Sequence, residues 1–306
     1  MVSYMKVLDI FSGVGGFSLG LERAGMETAA FCEFDPKCQQ VLRKNWPDTP
    51  IYNDVRTLTM EQLKNDGIED IGLICGGFPC QNISIAGKGI GGISGEKSGL
   101  WTEYKRIISE VRPKFAVIEN VKQLLSRGLS VLLQDLASIG YDATYTTFDS
   151  KYFGVPQRRR RVYIIACRDG IRDGSDIFKL EERSTEEHFL KVAAIEKEFA
   201  WNFEKGEDIE EAFAYFTRQR SDEFACTGLS STLAKRDYKS YTDVIVQEGK
   251  VRRVSVAERM LLQGLPQDWL EDCGISSSKA YSFNGMTTNV VEHIGGLINE
   301  YEKGNI

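Results

Sequence analysis

The chain has 306 residues, of which 42% are hydrophobic and 27% are charged. This composition is that of a globular protein of about two domains, and it excludes a disordered, collagen-like or coiled-coil chain. Lys and Arg number 38 against 44 acidic residues, and the net charge of −6 excludes a uniformly basic nucleic-acid-binding coat but not a local basic patch. No apolar run approaches the roughly 18 residues of a membrane span, and the N-terminus is not typical of a signal peptide, so we expect a cytoplasmic protein without a membrane partner.

The cysteines and histidines of the chain limit the kinds of site and mechanism that it can have. The seven cysteines form no paired C-x-x-C sites, so neither a zinc site nor a disulfide framework is indicated, and we expect no metal. The only histidines are His188 and His293, which disfavours a mechanism built on a histidine triad.

Residues 1–167 alternate between predicted strands and helices. Strands are predicted at residues 7–11, 28–32, 51–55, 71–75, 116–118 and 162–167, and helices at 17–24 and 35–45. This alternation predicts an α/β fold with a doubly wound, mostly parallel sheet, in which ligands bind at the carboxyl ends of the strands.

The alternation stops after residue 167. Residues 170–273 combine an acid-rich stretch with short predicted strands, whereas a helix predicted at 290–301 returns the chain to the first domain. We therefore predict a first domain of residues 1–169 plus 274–306 and a smaller, irregular, β-rich domain of residues 170–273. Within the first domain, the glycine-rich residues 81–99 form a long predicted loop, which is typical of either a functional or a disordered segment.

Acidic residues end the first predicted strands beside a glycine turn. The turn Ser12-Gly13-Val14-Gly15-Gly16 follows the first strand, and glycines there let the backbone approach a ligand. Asp9, Glu33 and Asp54 lie at three neighbouring strand ends, where an acid commonly holds a ribose diol. These acids favour a cationic, nucleoside-containing cofactor over a pyrophosphate, although a plain connecting turn with helix-capping acids explains the pattern equally well.

A cysteine and a carboxylate follow the fourth and fifth strands. Cys80 lies in the segment GGFPCQ directly after the fourth strand, and Glu119 lies in ENV directly after the fifth. A thiol is reactive as the thiolate, which nearby dipoles or cations favour by lowering its pKa. The alternatives are a buried, inert thiol, which is what we predict for Cys75, and a helix-capping acid.

An arginine run, QRRRR, precedes the next strand. Alternate residues of an extended segment share a face, so Arg159 and Arg161 are predicted to point together. A solvated surface or a phosphate contact is the alternative for such a run. Cys80, Glu119 and the arginine run each lie at a strand end of one predicted sheet. Their order along the chain therefore indicates a shared site more strongly than any one of them does.

The motifs of the chain, taken in order, resemble those of cytosine-C5 DNA methyltransferases of the compact bacterial or phage type. They are DIFSGVGGFSLG, GGFPCQNIS, ENV, QRRRRVYIIA, RRVSVAERMLLQGLPQDW and AYSFNGMTTNVVEHI. The resemblance covers nearly the whole chain except residues 170–245. One departure is that the family's closing Gly-Asn-Ser/Ala turn is replaced here by Gly285, Met286 and Thr287. No cofactor contact is therefore assigned to the Met286 side chain.

The resemblance implies a reaction and a fold. It implies an S-adenosylmethionine-dependent methyltransferase fold, with residues 170–273 as the target-recognition domain. A methyl group would pass to C5 of a cytosine flipped out of duplex DNA, while Cys80 is bonded to C6. Glu119 would act at N3, and Arg159 and Arg161 at O2, where negative charge develops. Flipping costs a few kcal/mol, and residues 81–99 would close over the flipped base.

The resemblance also implies two sets of binding residues. The cofactor would be bound by Phe11, Gly13, Val14, Gly16, Glu33, Phe34, Asp54, Val55, Pro79 and Leu100. DNA would be contacted by Gln81 and Ser84 and, in a segment resembling the family's recognition core, by Thr232, Lys235 and Arg236.

Three other functions stay open at this point. Methylation of RNA is the nearest, because some proteins with this motif set act on transfer RNA; a separate region of about a hundred residues favours duplex DNA instead. A non-catalytic DNA-binding relative is disfavoured by the intact Cys80, Glu119 and arginines, and a nicotinamide oxidoreductase by the absent G-x-G-x-x-G. We expect a monomer that acts on DNA in a bacterial or phage-infected cell, in association with the nucleoid; a cognate restriction endonuclease as genetic partner stays open.

Overall fold

The structure, a computed structural model, describes most of the chain. The described residues are 4–79, 100–168, 213–218, 224–226, 230–233, 237, 243–247 and 250–304. Cys80, Gln81, Ser84, Lys235 and Arg236, the glycine-rich segment 81–99 and the acid-rich stretch lie outside them. The chain divides into two compact units: unit 1 comprises residues 1–148, 160–183 and 291–306, and unit 2 comprises residues 149–159 and 184–290.

Unit 1 is built on a mostly parallel sheet. Its strands are β1 (Lys6–Ile10), β2 (Glu27–Cys32), β3 (Ile51–Tyr52), β4 (Ile71–Gly76), β5 (Phe115–Val121), β6 (Tyr141–Asp149) and β7 (Arg160–Arg168). They form one seven-stranded sheet in the order β3-β2-β1-β4-β5-β7-β6. The first five strands pair in parallel and β7 runs antiparallel to β5. The predicted α/β fold with a mostly parallel sheet is confirmed.

Helices connect these strands. They are α1 (Gly16–Arg23), α2 (Pro36–Asn45), α3 (Met60–Asn65), α4 (Leu100–Val111), α5 (Leu124–Arg127) and α6 (Leu129–Ser138). The start of α2 follows from its sequence, because the Asp35 carboxylate accepts a hydrogen bond from the Lys37 N–H and Pro36 occupies the first turn. Within the described ranges, no helix is both long and apolar enough to cross a membrane.

The third and fifth strands differ from the prediction in ways that affect the site, and β6 was not predicted. The third was predicted to reach residue 55 but ends at Tyr52, because the chain turns at Asp54, whose carbonyl accepts hydrogen bonds from the Thr57 and Leu58 N–H groups. The fifth continues to Val121, since β7 pairs with it along its whole length. Glu119 therefore lies within β5 instead of after it.

Unit 2 contains a second, antiparallel sheet. Its strands are β8 (Phe213–Arg218), β9 (Phe224–Cys226), β10 (Asp243–Gln247) and β11 (Lys250–Arg253), in the order β11-β10-β8-β9. Two short helices follow, α7 (Val256–Leu261) and α8 (Ser277–Ala280). Beside this sheet, Leu233 is buried in an apolar cluster with Ile245, Val254 and Leu262.

The last helix, α9 (Thr288–Glu302), confirms the helix predicted at residues 290–301. It belongs to unit 1 from Val291 onward. The residues just before Val291 belong to unit 2, as does segment 149–159. Two hydrogen bonds join these parts of unit 2. The Ser150 and Thr287 hydroxyls lie 2.6 Å apart, and the Asn289 amide donates to the Phe153 carbonyl at 2.8 Å. The functional domains predicted from the sequence, with boundaries at 170 and 273, stay a prediction.

Glycine at the end of β4 allows a close approach to β1. A Cβ on Gly76 would overlap the backbone carbonyl of Ile10, which cannot move aside as a flexible side chain can. A Cβ on Gly72, in the same strand, would press on the Met5 side chain at 2.7 Å, while the Lys6 carbonyl lies at an ordinary contact distance of 3.8 Å. The two positions therefore differ in what a methyl group would displace.

We expect Gly76→Ala to lower the free energy of unfolding by about 2 kcal/mol or more, because it overpacks the backbone of the central strand pair. Gly72→Ala should cost distinctly less, since Met5 can change rotamer. Urea denaturation followed by circular dichroism measures both variants. Equal losses in the two variants would show that the approach of β4 to β1 is not tight.

Candidate active site

The glycine turn after β1 has a left-handed backbone. Gly13 has a φ of 56° and Gly15 a φ of 87°, and Phe11, which is not a glycine, has a φ of 56°. Such a conformation is rare for a bulky residue and costs energy that the surrounding structure must offset. A Cβ on Gly15 would overlap Trp46, whereas a Cβ on Gly13 would meet no atom within 4 Å. Gly15 is thus required for packing, and Gly13 borders open space.

Glu33 ties this turn to the end of β2. One carboxylate oxygen accepts a hydrogen bond from the Gly13 N–H at 2.7 Å and the other accepts from the Asp35 N–H at 2.7 Å. Burial raises the pKa of Glu33, while these two backbone hydrogen bonds oppose the shift. Each carboxylate oxygen can accept a second hydrogen bond, so the group remains able to hold a ribose diol.

The resemblance also assigns an aromatic ring, Phe34, and a second acid, Asp54, to the cofactor. Phe34 is 71% exposed, which leaves its ring free to stack on a planar base. Asp54, by contrast, accepts hydrogen bonds from the Arg56 guanidinium at 2.5–3.0 Å, and this contact lowers the pKa of its carboxyl. The carboxylate that the resemblance assigns to the cofactor amino group is therefore bound by Arg56 in this structure.

The residues assigned to the cofactor all lie in unit 1. Val14 and Val55 are buried, Pro79 is half-buried, and Leu100 begins α4 and packs against the core. The direct link among the cofactor residues is the hydrogen bond from Gly13 to Glu33. The carboxylate, the exposed ring and the open space at Gly13 fit the nucleoside part of S-adenosylmethionine.

Asp9 does not face a ligand, contrary to the sequence analysis. It is fully buried inside β1, where its carboxylate accepts a hydrogen bond from the Ser18 hydroxyl at 2.9 Å. Burial raises the pKa of Asp9 to about 7, an effect that hydrogen bonds from Ser18 and the Cys75 thiol partly offset. The group links β1 to α1 and β4 and acts as part of the core.

Glu119 lies against the segment that leads to Cys80. A Cβ on Gly77 would lie 2.8 Å from a Glu119 carboxylate oxygen, so the carboxylate occupies the space that a side chain there would fill. The Asn120 amide donates to the Phe78 carbonyl at 3.2 Å. Two consecutive residues of β5 therefore contact Gly77 and Phe78, which follow β4 and are separated from Cys80 by Pro79 alone.

Arg161 forms an ion pair with the Glu119 carboxylate. Its Nε lies 3.1 Å from Oε1, and the two side chains are only 14% and 13% exposed. The sequence analysis assigned both residues to one site, and the structure brings them into contact. A guanidinium in this position places positive charge beside the carboxylate at the same end of the sheet.

Arg159 belongs to unit 2 and is 4% exposed. Its guanidinium donates to the Asn284 carbonyl at 3.1 Å, and its backbone N–H donates to the Asp149 carboxylate at 3.1 Å. Arg158 and Arg160 are exposed, so burial alternates along the run as expected for an extended segment.

Two hydroxyl-bearing residues near Arg159 were missed by sequence reasoning. Ser150 lies in none of the motifs. Its backbone N–H nevertheless donates to the Arg159 carbonyl at 3.0 Å, and its hydroxyl hydrogen-bonds to Thr287. Thr287 follows Met286, the residue that departs from the family pattern, and both are buried. Their contact joins residues 137 positions apart, which no local signal could indicate.

Five of the described cysteines are buried thiols. Cys32, Cys38, Cys75, Cys167 and Cys273 form no disulfide. Burial raises the pKa of Cys75 well above the usual range of a thiol. Among the described residues, no group of three or more histidines, cysteines or acids could hold a metal ion.

Solved methyltransferases share the fold. The S. pombe Dnmt2 methyltransferase superposes with a TM-score of 0.71 at 17% identity, over 99% of this chain and 100% of that one. The Entamoeba histolytica methyltransferase EhMeth superposes with a TM-score of 0.69 at 14% identity, over 99% of both chains. The fold of this chain is therefore that of the methyltransferase class, as predicted.

Sequence comparison identifies the family of methyltransferases to which the chain belongs. The model of the C-5 cytosine-specific DNA methylases matches residues 5–300, and the chain belongs to this family, which confirms the resemblance. The Type II methyltransferase M2.BsuMI of Bacillus subtilis is 31% identical over 276 residues, which are 87% of this chain and 66% of that protein. The Type II methyltransferase M.NgoBI of Neisseria gonorrhoeae is 26% identical over 94% of this chain and 90% of that protein.

The buried Asp9 carboxyl makes stability depend on pH. Its pKa is about 7 in the folded protein against 3.8 for the free side chain, so between these values the folded protein holds a proton that the unfolded chain has released. This contribution to stability is therefore present at low pH and is lost as the pH rises from about 4 to about 7, by up to about 4 kcal/mol.

Asp9→Asn should remove this dependence, because the amide is close in shape and does not titrate. Free energies of unfolding of parent and variant, measured at several pH values, should converge in acid and separate in favour of the variant near neutrality. Asp48→Asn, at an exposed acid, serves as the control and should keep the parent's profile. A constant difference between Asp9→Asn and the parent would contradict a protonated Asp9.

Proposed function

We propose that this protein transfers a methyl group from S-adenosylmethionine to C5 of a flipped-out cytosine in a specific duplex DNA sequence. Membership of the C-5 cytosine-specific DNA methylase family supports this proposal, as do Type II methyltransferases among the relatives. The chain spans only 66% of the length of M2.BsuMI, so the substrate and partners are part of the proposal.

One observation carries the proposal: Glu119 and Asn120 contact the two residues that lead to Pro79 and Cys80. Strands β4 and β5 pair in parallel with Gly76 opposite Ile118, so Gly77 and Phe78 leave β4 beside Glu119 and Asn120, which continue β5. A nucleophile and a proton donor must both reach one substrate ring. The GGFPC segment supplies Cys80 as the nucleophile, and the ENV segment of the adjacent strand supplies Glu119 as the proton donor.

The reaction on the cytosine uses this chain's own groups. Cys80 forms a bond to C6, and the ring electrons move toward N3, where Glu119 donates or shares a proton. Arg159 and Arg161 stabilise the negative charge that develops at O2. Once C5 carries the methyl group, its proton passes to solvent water, N3 returns its proton to Glu119, the C5–C6 double bond reforms and the Cys80 thiolate leaves.

The cofactor supplies an electrophilic methyl group when bound. Glu33 would hold its ribose, the exposed Phe34 ring would pack on its adenine, and the turn from Phe11 to Gly16 would surround the remainder. Asp54 would accept a hydrogen bond from the adenine amino group. One of the hydrogen bonds from Arg56 to the Asp54 carboxylate would then have to break. The pair is largely exposed on the Arg56 side, so this exchange costs little.

Recognition of the DNA sequence is proposed for residues 170–273. In this proposal Gln81, Ser84, Lys235 and Arg236 contact the DNA, and phosphate contacts by the basic residues make binding weaken as salt rises. The substrate would be the DNA of a bacterial or phage-infected cell, and a restriction endonuclease with the same target sequence would be the genetic partner.

A covalent trap tests the proposed chemistry. The last step removes a proton from C5, and fluorine at that position cannot leave as a cation. Duplex DNA carrying 5-fluorocytosine, incubated with protein and S-adenosylmethionine, should therefore give a complex that survives denaturing electrophoresis. Cys80→Ala should abolish both the complex and methyl transfer.

Cys75→Ala is the matched control, since this buried thiol lies in β4 only five positions earlier and should leave the complex intact. If Cys80→Ala traps DNA as well as the parent does, the nucleophile is another residue. Trapping on 5-fluorocytosine-substituted transfer RNA, and not on duplex DNA, would change the proposed substrate to RNA.

Asn120 provides a test of the contact between the two segments. We expect Asn120→Ala to lower kcat by about tenfold, because loss of the hydrogen bond to the Phe78 carbonyl releases the segment that leads to Cys80. Asn299→Ala, which removes a similar bond from an amide to the Ala24 carbonyl at 2.6 Å, should change stability and not kcat. Equal kcat values in both variants would contradict this role of Asn120.

A further inference from the structure

Four aromatic rings of unit 1 form a row between two segments of the proposed site. The members of this aromatic row, in order, are Phe11, Tyr104, Trp101 and Phe78. The distances between neighbouring ring centroids are 6.0 Å, 5.8 Å and 5.7 Å, and the rings are tilted by 52°, 55° and 43°. Such distances are those of directly packed rings, whose centroids lie roughly 4.5–7 Å apart. The row therefore joins the turn that follows β1 to the segment that follows β4.

The two inner rings lie on one face of α4, because Trp101 and Tyr104 are three positions apart. Hydrogen bonds fix both of them. The Tyr104 hydroxyl donates to the Val117 carbonyl of β5 at 3.0 Å, and the Trp101 indole N–H donates to the Asp135 carboxylate of α6 at 2.8 Å. Both side chains are at most 3% exposed. Each inner ring is thus fixed to a neighbouring element independently of the two outer rings.

The outer ring on the cofactor side belongs to a strained residue. Phe11 has a φ of 56°, a conformation that a bulky residue keeps only where its surroundings hold it. Its side chain is half-buried and packs against the same apolar core as Leu100, the first residue of α4. Phe11 and Leu100 are both proposed to contact the cofactor. The ring of Tyr104 thus supports a strained residue of the cofactor turn.

The outer ring at the other end lies two positions before Cys80. Phe78 is 3% exposed and packs on Trp101. Its carbonyl accepts the hydrogen bond from Asn120, so Phe78 is fixed by β5 through its backbone and by α4 through its ring. The methyl donor and the nucleophile must act on one cytosine, and a misplacement of about 1 Å can lower a rate by roughly a hundredfold. The position of Phe78 relative to the cofactor turn therefore bears on the rate.

We infer that α4 aligns the methyl donor with the nucleophile: Tyr104 positions the turn at Phe11, and Trp101 positions the segment at Phe78. This inference rests on the proposed function, in which the turn binds S-adenosylmethionine and the segment carries Cys80. Tyr104 and Trp101 are positioning residues that act through the outer rings and take no part in the chemistry. Because each inner ring has its own hydrogen bond, truncating one leaves the other in place. The two halves of the aromatic row can therefore be tested separately.

Trp101→Leu and Tyr104→Leu test the two halves with different measurements. The kcat is measured with unmethylated plasmid DNA and radiolabelled S-adenosylmethionine, and the Kd of the reaction product S-adenosylhomocysteine is measured by calorimetry. We expect Trp101→Leu to lower kcat by about tenfold and to keep the Kd within about twofold of the parent. Tyr104→Leu should raise the Kd by about tenfold, because the strained Phe11 loses its support. Trp101→Met and Tyr104→Met replace the leucine variants if these do not fold.

Two further variants separate positioning from a general loss of packing. Trp101→Phe keeps an aromatic ring beside Phe78, and Asp135 keeps its ion pair with Lys105, so kcat should stay within about threefold of the parent. Tyr301→Leu is the matched control. The Tyr301 ring, in α9, is 5% exposed and packs edge-on against Phe115, the first residue of β5, at 6.0 Å. Its loss should lower the free energy of unfolding and leave kcat and the Kd unchanged.

Several outcomes would overturn the inference. A kcat in Trp101→Leu equal to that of Tyr301→Leu would refute the role of Trp101, and an unchanged Kd in Tyr104→Leu would refute that of Tyr104. Equal losses of kcat in Trp101→Phe and Trp101→Leu would contradict action through ring packing. A parent protein that binds S-adenosylhomocysteine and transfers no methyl group to plasmid DNA would instead refute the proposed function, and with it the alignment that depends on it.

Discussion

The site depends on how closely the end of β4 approaches its two neighbouring strands. Gly76 leaves room for the Ile10 carbonyl of β1, and Gly77 leaves room for the Glu119 carboxylate of β5. A side chain at position 76 would push β4 away from β1, and one at position 77 would displace the Glu119 carboxylate. Because both are glycines, the segment leading to Cys80 departs from the sheet against the side chain that would protonate the substrate. The chemistry of the site thus begins with the packing of three strands.

Two carboxylates of unit 1 are oriented before any ligand arrives. Glu33 is held by the backbone N–H groups of Gly13 and Asp35, and Glu119 is held by the guanidinium of Arg161. Groups fixed in this way need no reorganisation when a ligand binds, which favours binding and catalysis. Asp9 shows the contrasting case, in which a carboxyl deep in the sheet contributes to packing and carries no ligand.

The sequence predicted six of the seven strands of the main sheet, because buried strands appear as apolar runs, and it missed β6. The roles of the motif residues stay a prediction. The sequence did not predict contacts that depend on tertiary structure. The burial of Asp9, the pairing of Asp54 with Arg56 and the bond from Thr232 to Arg158 carry no local signal. The last of these joins residues 74 positions apart. The motifs thus predicted which segments carry the site, while the structure identified the contacts of the described side chains among them.

The central claim is that this chain methylates cytosine in DNA at C5, with Cys80 and Glu119 acting on one ring. Mass spectrometry of nucleosides from DNA of a methylation-deficient bacterium expressing the protein tests this claim most directly. The account predicts 5-methyl-2′-deoxycytidine with the parent protein and none with the Cys80→Ala variant. Methylation of an exocyclic amino group instead, or 5-methyl-2′-deoxycytidine at the parental level with the Cys80→Ala variant, would contradict it.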